Sequence, residues 1–404
     1  MSMNCLKWML LLSSVGLLMA CREKGAGMQY VSDTPSLSVD TAARLVYLDL
    51  PSEITKTDVY ECIDSIHVIP LSSSDDDAIV GHIDGIYIQD SKLFVTDLYK
   101  AKGVFVFDMS GNYLYKIGRS GNGPGEYASL NDVRFTTEHV DVLDWISWKY
   151  IRYDLSGRFL EEHSLMDVSP SKAVLRKDGT WLFFFQRYTP DRHFRLVLAD
   201  SSLKPVDTAL PFSNDRSMGP GRVWEEDSLL YYYYPLCDTI YQITENSLSP
   251  KYKLSIYDPG EVERFFEKTK ELDLNDFNRA LEQDIASYYT FYEADDYYYV
   301  LNQKLPEIYL SLLDKKTLKG KTFLQSDIEQ KKLNFPFYIY GVADNWLLAF
   351  IDAGFFDFLP ESAQEEFLSH LSKEKADEVR RIGSDSDNNP IICMFHISVD
   401  KLYE

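Results

Sequence analysis

The sequence predicts an all-β fold: a six-bladed β-propeller of four-stranded antiparallel blades, closed by an N-terminal strand and interrupted by two helical insertions. Three observations lead there. Between Asp40 and Pro259 no long stretch has helical periodicity, and short β-branched and aromatic runs recur between turn residues. A strand–turn–strand outline repeats along the chain, as in ring-shaped repeat folds. Aromatic residues make up 14% of the chain, including 28 tyrosines, which suits a packed β core and argues against disorder.

The first element is not part of the fold. "MSMNCLKWMLLLSSVGLLMAC" carries one cation, Lys7, an apolar run from Trp8 to Met19, and the small Ala20 before Cys21. That is the layout of a secretory signal over residues 1–20, too short to span a membrane. Leu18-Met19-Ala20-Cys21 looks like a bacterial lipobox, with Cys21 as the acylated first residue; an ordinary cleaved signal with a chance cysteine is the plainer alternative. Residues 21–40 read as a polar tether and 41–404 as the propeller. The expected location is the cell envelope, attached by lipid alone, since no later apolar run approaches a span. The net charge of −22 disfavours nucleic acid as a partner.

Within the body, "VFVFDMSGNYLYKIG" (104–118) aligns with "YIRYDLSGRFLEEHS" (150–164). Both place Asp-x-Ser-Gly between two strands, Asp to bond the backbone ahead and Gly to take positive φ. Weaker copies lie at 195–210, 239–256 and 308–324. Upstream of each copy stands a second hairpin with an acidic turn, so two hairpins make one four-stranded blade. Blades begin near Ile83, Asn131, Lys172, Arg222, Tyr289 and Phe335. The last is short of a strand: "IICMFHI" (391–397) is its third, and the chain then ends. "IHVIPL" (66–71) precedes the first blade and is predicted to complete the sixth. Residues 260–287 and 361–382 read as helices, the second opened by Pro360. They either cover blade edges or form a lid.

The stretch "KIGRSGNGPGEYASLNDVRF" (116–135) invites a phosphate-loop reading, which its details refuse. Gly118 and Gly123 have the right spacing, but Pro124 and Gly125 stand where Lys and Ser or Thr are needed. No helix N-terminus follows. The segment instead crosses from the outer strand of one blade to the inner strand of the next. With "SIHVIPL", "CDTIYQI" (237–243) and "DNNPIICMFHI" (387–397), it resembles the six-bladed β-propeller lipoproteins of the Bacteroides group, themselves similar to NHL-repeat propellers. The resemblance implies a closed ring, an acyl anchor and an envelope setting, but no reaction.

Chemistry is sparse. The seven histidines have no ligand spacing. Propeller lyases and lactonases of the NHL-like kind hold a divalent metal at the channel mouth. Here His82, Asp84, Asn131 and Asp132 stand at inner-strand starts, but Lys172, Arg222, Tyr289 and Phe335 occupy the other four and would not ligate a metal. No cofactor is expected. Cys62, Cys237 and Cys393 give no disulfide framework and read as buried. Asp75 to Asp77 and Asp385 to Asn388 read as solvated loops, and the tyrosine runs 231–234 and 297–299 as core. The candidate binding residues are those at the loop mouths: Arg119, Glu126, Tyr127 and Asn131, with Arg216 and Arg222 flanking "SMGPG" (217–221). The two later arginines would receive an anion or a partner's carboxylate, or close a structural ion pair with Glu126. The reading is a monomeric binding module for an unknown protein, small molecule or glycan; the alternative is a metal-dependent lyase or lactone hydrolase.

Overall fold

The computed structural model describes residues 37–40, 44–55, 59–213, 219, 221–226, 229–244, 247–285, 288–304, 307–327, 332–333, 338–354 and 356–403. The signal, Cys21, most of the tether and Arg216 lie outside them. The fold is that of a six-bladed β-propeller, with six four-stranded antiparallel blades. Blade 1 comprises Gly85–Gln89, Lys92–Asp97, Gly103–Asp108 and Tyr113–Ile117; blade 2, Asp132–Phe135, His139–Asp144, Lys149–Asp154 and Phe159–Ser164. Blade 3 comprises Lys172–Leu175, Trp181–Phe184, Phe194–Ala199 and Pro205–Pro211; blade 4, Arg222–Glu226, Leu229–Tyr233, Thr239–Ile243 and Ser247–Leu254. Blade 5 comprises Tyr288–Glu293, Tyr297–Lys304, Glu307–Asp314 and Gly320–Asp327. Blade 6 takes Gly341–Ala343, Trp346–Ile351 and Ile391–Ile397 from the C-terminal region and Ile63–Pro70 from the N-terminal one. The early strand therefore completes the last blade, pairing from Ile391↔Pro70 to Ile397↔Ile63.

Contacts divide the chain into two compact units. The smaller holds residues 165–222, and so blade 3, with Leu37, whose amide donates to the Thr208 carbonyl (3.0 Å). Its core stacks Trp181 on Phe183, and the buried Arg195 lays its guanidinium over the Phe212 ring at 4.4 Å.

The larger unit holds the other five blades, with a separate apolar core at each successive pairing. Phe94, Val106, Val142 and Ile151 pack between blades 1 and 2. Ile86, Phe105, Leu348 and Ile392 join blades 6 and 1, Tyr231, Tyr252, Phe291 and Val300 join blades 4 and 5, and Tyr299, Leu312, Leu347 and Cys393 join blades 5 and 6. At each of these four pairings the flat apolar face of one blade is covered by its neighbour. Tyr231 to Tyr233 and Tyr297 to Tyr299 are core, as are Cys62, Cys237 and Cys393, while Tyr234 is half-buried.

The hairpin turns show why the Asp-x-Ser-Gly copies recur. Asp108 accepts the amides of Ser110 (2.8 Å) and Asn112 (2.9 Å), and Asp154 those of Ser156 and Arg158 (both 2.9 Å), while Gly111 and Gly157 sit at φ 84 and 86.

Beyond the expected strands, the N-terminal segment edges two blades. Val46–Leu48 pairs in parallel with Tyr252–Leu254 of blade 4, burying Leu48 and exposing Tyr47, and Ile54–Thr55 pairs with Thr322–Phe323 of blade 5. These additions cover edge groups that would otherwise face water or another chain.

Two helix pairs interrupt the strands. Helices α1 (Glu261–Thr269) and α2 (Leu274–Gln283) follow blade 4 and bury Phe265, Phe277 and Leu281. Leu274 is exposed at the first position of α2, which Asp273 caps. Helices α3 (Glu361–Ser369) and α4 (Lys373–Gly383) lie between the second and third strands of blade 6. Their Phe367, Leu368, Val379 and Ile382 belong to the core that joins blades 5 and 6, so this pair covers the blades by packing.

Candidate functional site

The glycine-rich connection runs from Ile117, ending blade 1, to Asp132, opening blade 2. Gly118 and Gly125 take φ 68 and 67, and a Cβ on Gly118 would fall 2.6 Å from the Tyr127 ring. Only glycine fits so close an approach in that conformation. Arg119–Ser120 pairs with Glu126–Tyr127, folding the loop on itself. Glu126 accepts the Gly123 amide (2.8 Å) and Arg119 Nε (2.6 Å), which together hold its carboxyl below the usual range. The Gly125 amide donates to Glu162 (2.9 Å). The amides a phosphate would need are thus spent on carboxylates.

The C-terminal end of this loop builds a second feature. Asp144, ending the second strand of blade 2, accepts the Ala128 amide (2.7 Å), the Ser129 hydroxyl (2.5 Å) and the Ile146 amide (2.8 Å). Asn131 Oδ1 accepts from the Trp145 amide (3.0 Å) and lies 2.5 Å from Ser129 Oγ. This polar node pins the turn 145–148, which carries Trp145 stacked on Trp148 (6.4 Å between centroids, 24°) and Ile146, 56% exposed. Trp148 is held at φ 50, a region that non-glycine residues rarely occupy. The Trp145 indole N–H is enclosed with no acceptor among the described residues.

The equivalent turn of blade 1 presents Tyr99, 49% exposed, beside a set of ionisable groups. Asp97 accepts the Gly81 and His82 amides (2.8 and 2.9 Å), fixing the entry to the first strand of blade 1. Asp84 accepts the Leu98 amide (2.7 Å) and stands 4.0 Å from His82 Nε2. The His82 ring meets Phe350 of blade 6 edge-on at 5.9 Å, and Asp352 follows two residues later. Burial pushes the Asp84 carboxyl up, against the Leu98 amide and His82; burial likewise pushes Asp352 up, against His82 and Lys100. Burial, then Asp84 and Asp132, raise the Tyr99 phenol, which places all three groups within electrostatic reach.

Asp141 in blade 2 is the contrast. Arg134, Asp141, Arg152 and Glu161 stand opposite one another across all four strands, and Arg134 also reaches Glu225 of blade 4 at 2.7 Å. Asp141 pairs with Arg134 and with Arg152 (2.8 Å). Burial opposes its charge, but the His139 hydrogen bond and the two guanidiniums outweigh it and hold the carboxyl far below the usual range. Asp141 is compensated on both sides; the Asp352 carboxylate has no hydrogen bond or ion pair among the described residues. No three His, Cys, Asp or Glu among the described residues converge as a metal site would require.

Residues 46–396 match the family described as "Domain of unknown function (DUF4934)". The chain belongs to the DUF4934 family. It has no match among curated proteins. Among solved structures it is similar to a "putative exported protein" of Bacteroides fragilis, at 22% identity and a TM-score of 0.70, over 88% of this chain and 100% of that one. It is also similar to a Bacteroides vulgatus member of the DUF4221 family (10% identity, TM-score 0.49, 83% and 97% covered). A Bacteroides thetaiotaomicron protein of unknown function matches at 9% identity and a TM-score of 0.42, with 82% and 76% covered. The first likeness supports the propeller fold.

In this DUF4934 chain the loop residues singled out from sequence take distinct places. Arg119 is 80% exposed and joined to Glu126, the carboxylate considered for Arg216 or Arg222. Tyr127 is fully buried, its hydroxyl donating to the carbonyls of Ile117 (3.2 Å) and Lys102 (3.3 Å). Asn131 positions the Trp145 turn. Arg222 opens blade 4, half-buried, and Arg216 lies outside the described residues. Sequence reasoning missed Tyr99, Trp145, Trp148 and Asp352. The available signal was an aromatic or carboxylate just past the end of a second strand, in "VTDLY", "VLDWISW" and "AFID".

Proposed function

We propose that this DUF4934 protein is a binding module carried outside the cytoplasm on an acyl anchor at Cys21. Its ligand seat is the end of blades 6, 1 and 2 where their first strands begin. One observation carries the reading: Asp84 and Asp352 are kept half-buried without a guanidinium partner, in a protein that pairs Asp141 twice. Half-buried carboxylates with only His82 and Lys100 to offset them are a cost that folding alone does not explain, and such groups concentrate at functional sites. Tyr99, Trp145 and Trp148 give the same end aromatic surface. The signal-and-lipobox layout and the name of the Bacteroides fragilis relative support export. No helix among the described residues is long and apolar enough to cross a membrane, which accords with attachment by lipid. The NHL-like resemblance supports the fold without requiring a metal.

Elemental analysis of the purified mature protein, with melting curves in calcium, zinc and chelator, tests the module reading. The expected result is no stoichiometric metal and an unchanged melting temperature. A stoichiometric metal with a large chelator-sensitive shift would instead support a metal-dependent propeller enzyme. For the anchor, mass spectrometry of the protein expressed in a bacterial host should find an acylated Cys21, and Cys21→Ser should release it from membranes.

A further inference from the structure

The aromatic turn of blade 2 is held in one geometry by a buried polar node. Three side chains, Asp144, Ser129 and Asn131, are spent on fixing four residues, and the turn they fix holds a tryptophan at φ 50. The equivalent turn of blade 1 has the same geometry, with Asp97 accepting the Lys100 amide (2.8 Å) and Lys102 at φ 47, so what is particular to blade 2 is the pair of tryptophans that the turn carries. The turn holds two half-buried, stacked indoles and the exposed Ile146, past the end of the strand that pairs with Asp132 and on the same end of the blades as Tyr99 and Asp84.

The surrounding chemistry narrows the ligand. Carboxylates at the seat, on a chain of net charge −22, repel anions. The amides of Gly123 and Gly125, the donors an anion would use, are already bound by Glu126 and Glu162. A simple cation is served less well, because Lys100 and His82 already stand among the carboxylates. A ring with an apolar C–H face and many hydroxyls meets every feature. Its face packs on indole and its hydroxyls donate to carboxylate oxygens. We infer that the seat takes a neutral sugar ring of an oligosaccharide, laid on the Trp145–Trp148 pair with hydroxyls directed to Asp132 and Asp84. This rests on the binding-module reading.

The test is a titration of the full mature protein, followed by tryptophan fluorescence and calorimetry. The neutral probes are maltohexaose and cellohexaose; oligogalacturonate is the anionic probe and a glucosamine oligomer the cationic one. Saturable binding of a neutral probe with a fluorescence change is expected, with the uronate weaker by about tenfold or more. Trp148→Gly relieves the strained backbone, so it should keep the fold and melting behaviour close to the parent's while weakening binding about tenfold. Trp145→Phe keeps the stack and removes the N–H, and should weaken binding less. Unchanged affinity in Trp148→Gly, preference for the cationic oligomer, or no saturable binding by either neutral probe would overturn the inference. Those results leave the module reading to the metal analysis, which is read independently.

Discussion

Leu203 stands where Gly111 and Gly157 stand in the sister turns, and it takes their conformation, at φ 66. Asp200 still accepts the amides of Ser202 (2.9 Å) and Lys204 (3.0 Å), so the turn survives with the wrong residue in it. Leu203→Gly should raise stability by about 1 kcal/mol, read as a higher denaturation midpoint. The carboxylates give a sharper contrast. Asp141 is held below its ordinary 3.8, so it contributes stability above that pH and loses it as the solution is acidified. Asp141→Asn leaves Arg134 and Arg152 without their shared partner and should cost about 3–5 kcal/mol in urea unfolding. Asp84 and Asp352 are shifted upward, so the folded state binds their protons more tightly than the unfolded state does. Their effect has the opposite sign: stability falls as pH rises above 3.8 through the raised values, and the loss is complete above them. Asp352→Asn should therefore melt at or above the parent temperature at neutral pH. A large destabilisation in that variant would mark Asp352 as a structural group and remove it from the seat.

At the scale of elements, the glycine-rich connection is a fitted joint. Gly118→Ala would bring a methyl against the Tyr127 and Tyr153 rings in a left-handed conformation, and a loss of about 1–3 kcal/mol is expected. Arg119→Ala, by contrast, removes one exposed ion pair and should cost less than about 1 kcal/mol. Much of this element is legible in the sequence, because Pro124 and the absence of a helix signal after it exclude a phosphate loop. The blades were legible for a related reason: strand alternation and Asp-x-Ser-Gly turns are local signals. Val46–Leu48 and Ile54–Thr55 were not, since strands of two or three residues have too short a period to declare themselves. The Trp148 geometry was hidden too, because Asn131 and Ser129, which impose it, act from another part of the chain. The ladder from Arg134 to Glu161 was readable only in part. Each charge alternates correctly along its own strand, but their alignment is a matter of register.

For the whole molecule, the ligand seat depends on joining distant parts of the chain. Phe350 and Asp352 belong to blade 6, and His82 and Asp84 to blade 1. Between these blades the Ile86 amide donates to the Tyr340 carbonyl (2.9 Å), and Ile69 of the closing strand and Leu71 just after it pack in the same core. Asn389 adds a stitch, accepting the Val80 amide (2.8 Å) and donating to the Ala78 and Ser72 carbonyls (both 2.7 Å). The N-terminal strand is thus the lock of the fold, and its end packs in the core that Phe350 borders. Its role was foreseeable by counting strands, since blade 6 was one short and Ile66 to Leu71 were unassigned. The most direct measurement is thermal unfolding of a chain that begins at Ala78, compared with the full mature protein. Loss of the cooperative transition, with exposure of the blade 5, 6 and 1 cores to a hydrophobic dye, is the predicted result. A truncated chain that melts cooperatively at the parent temperature would contradict closure by this strand, and with it the seat built across blades 6 and 1.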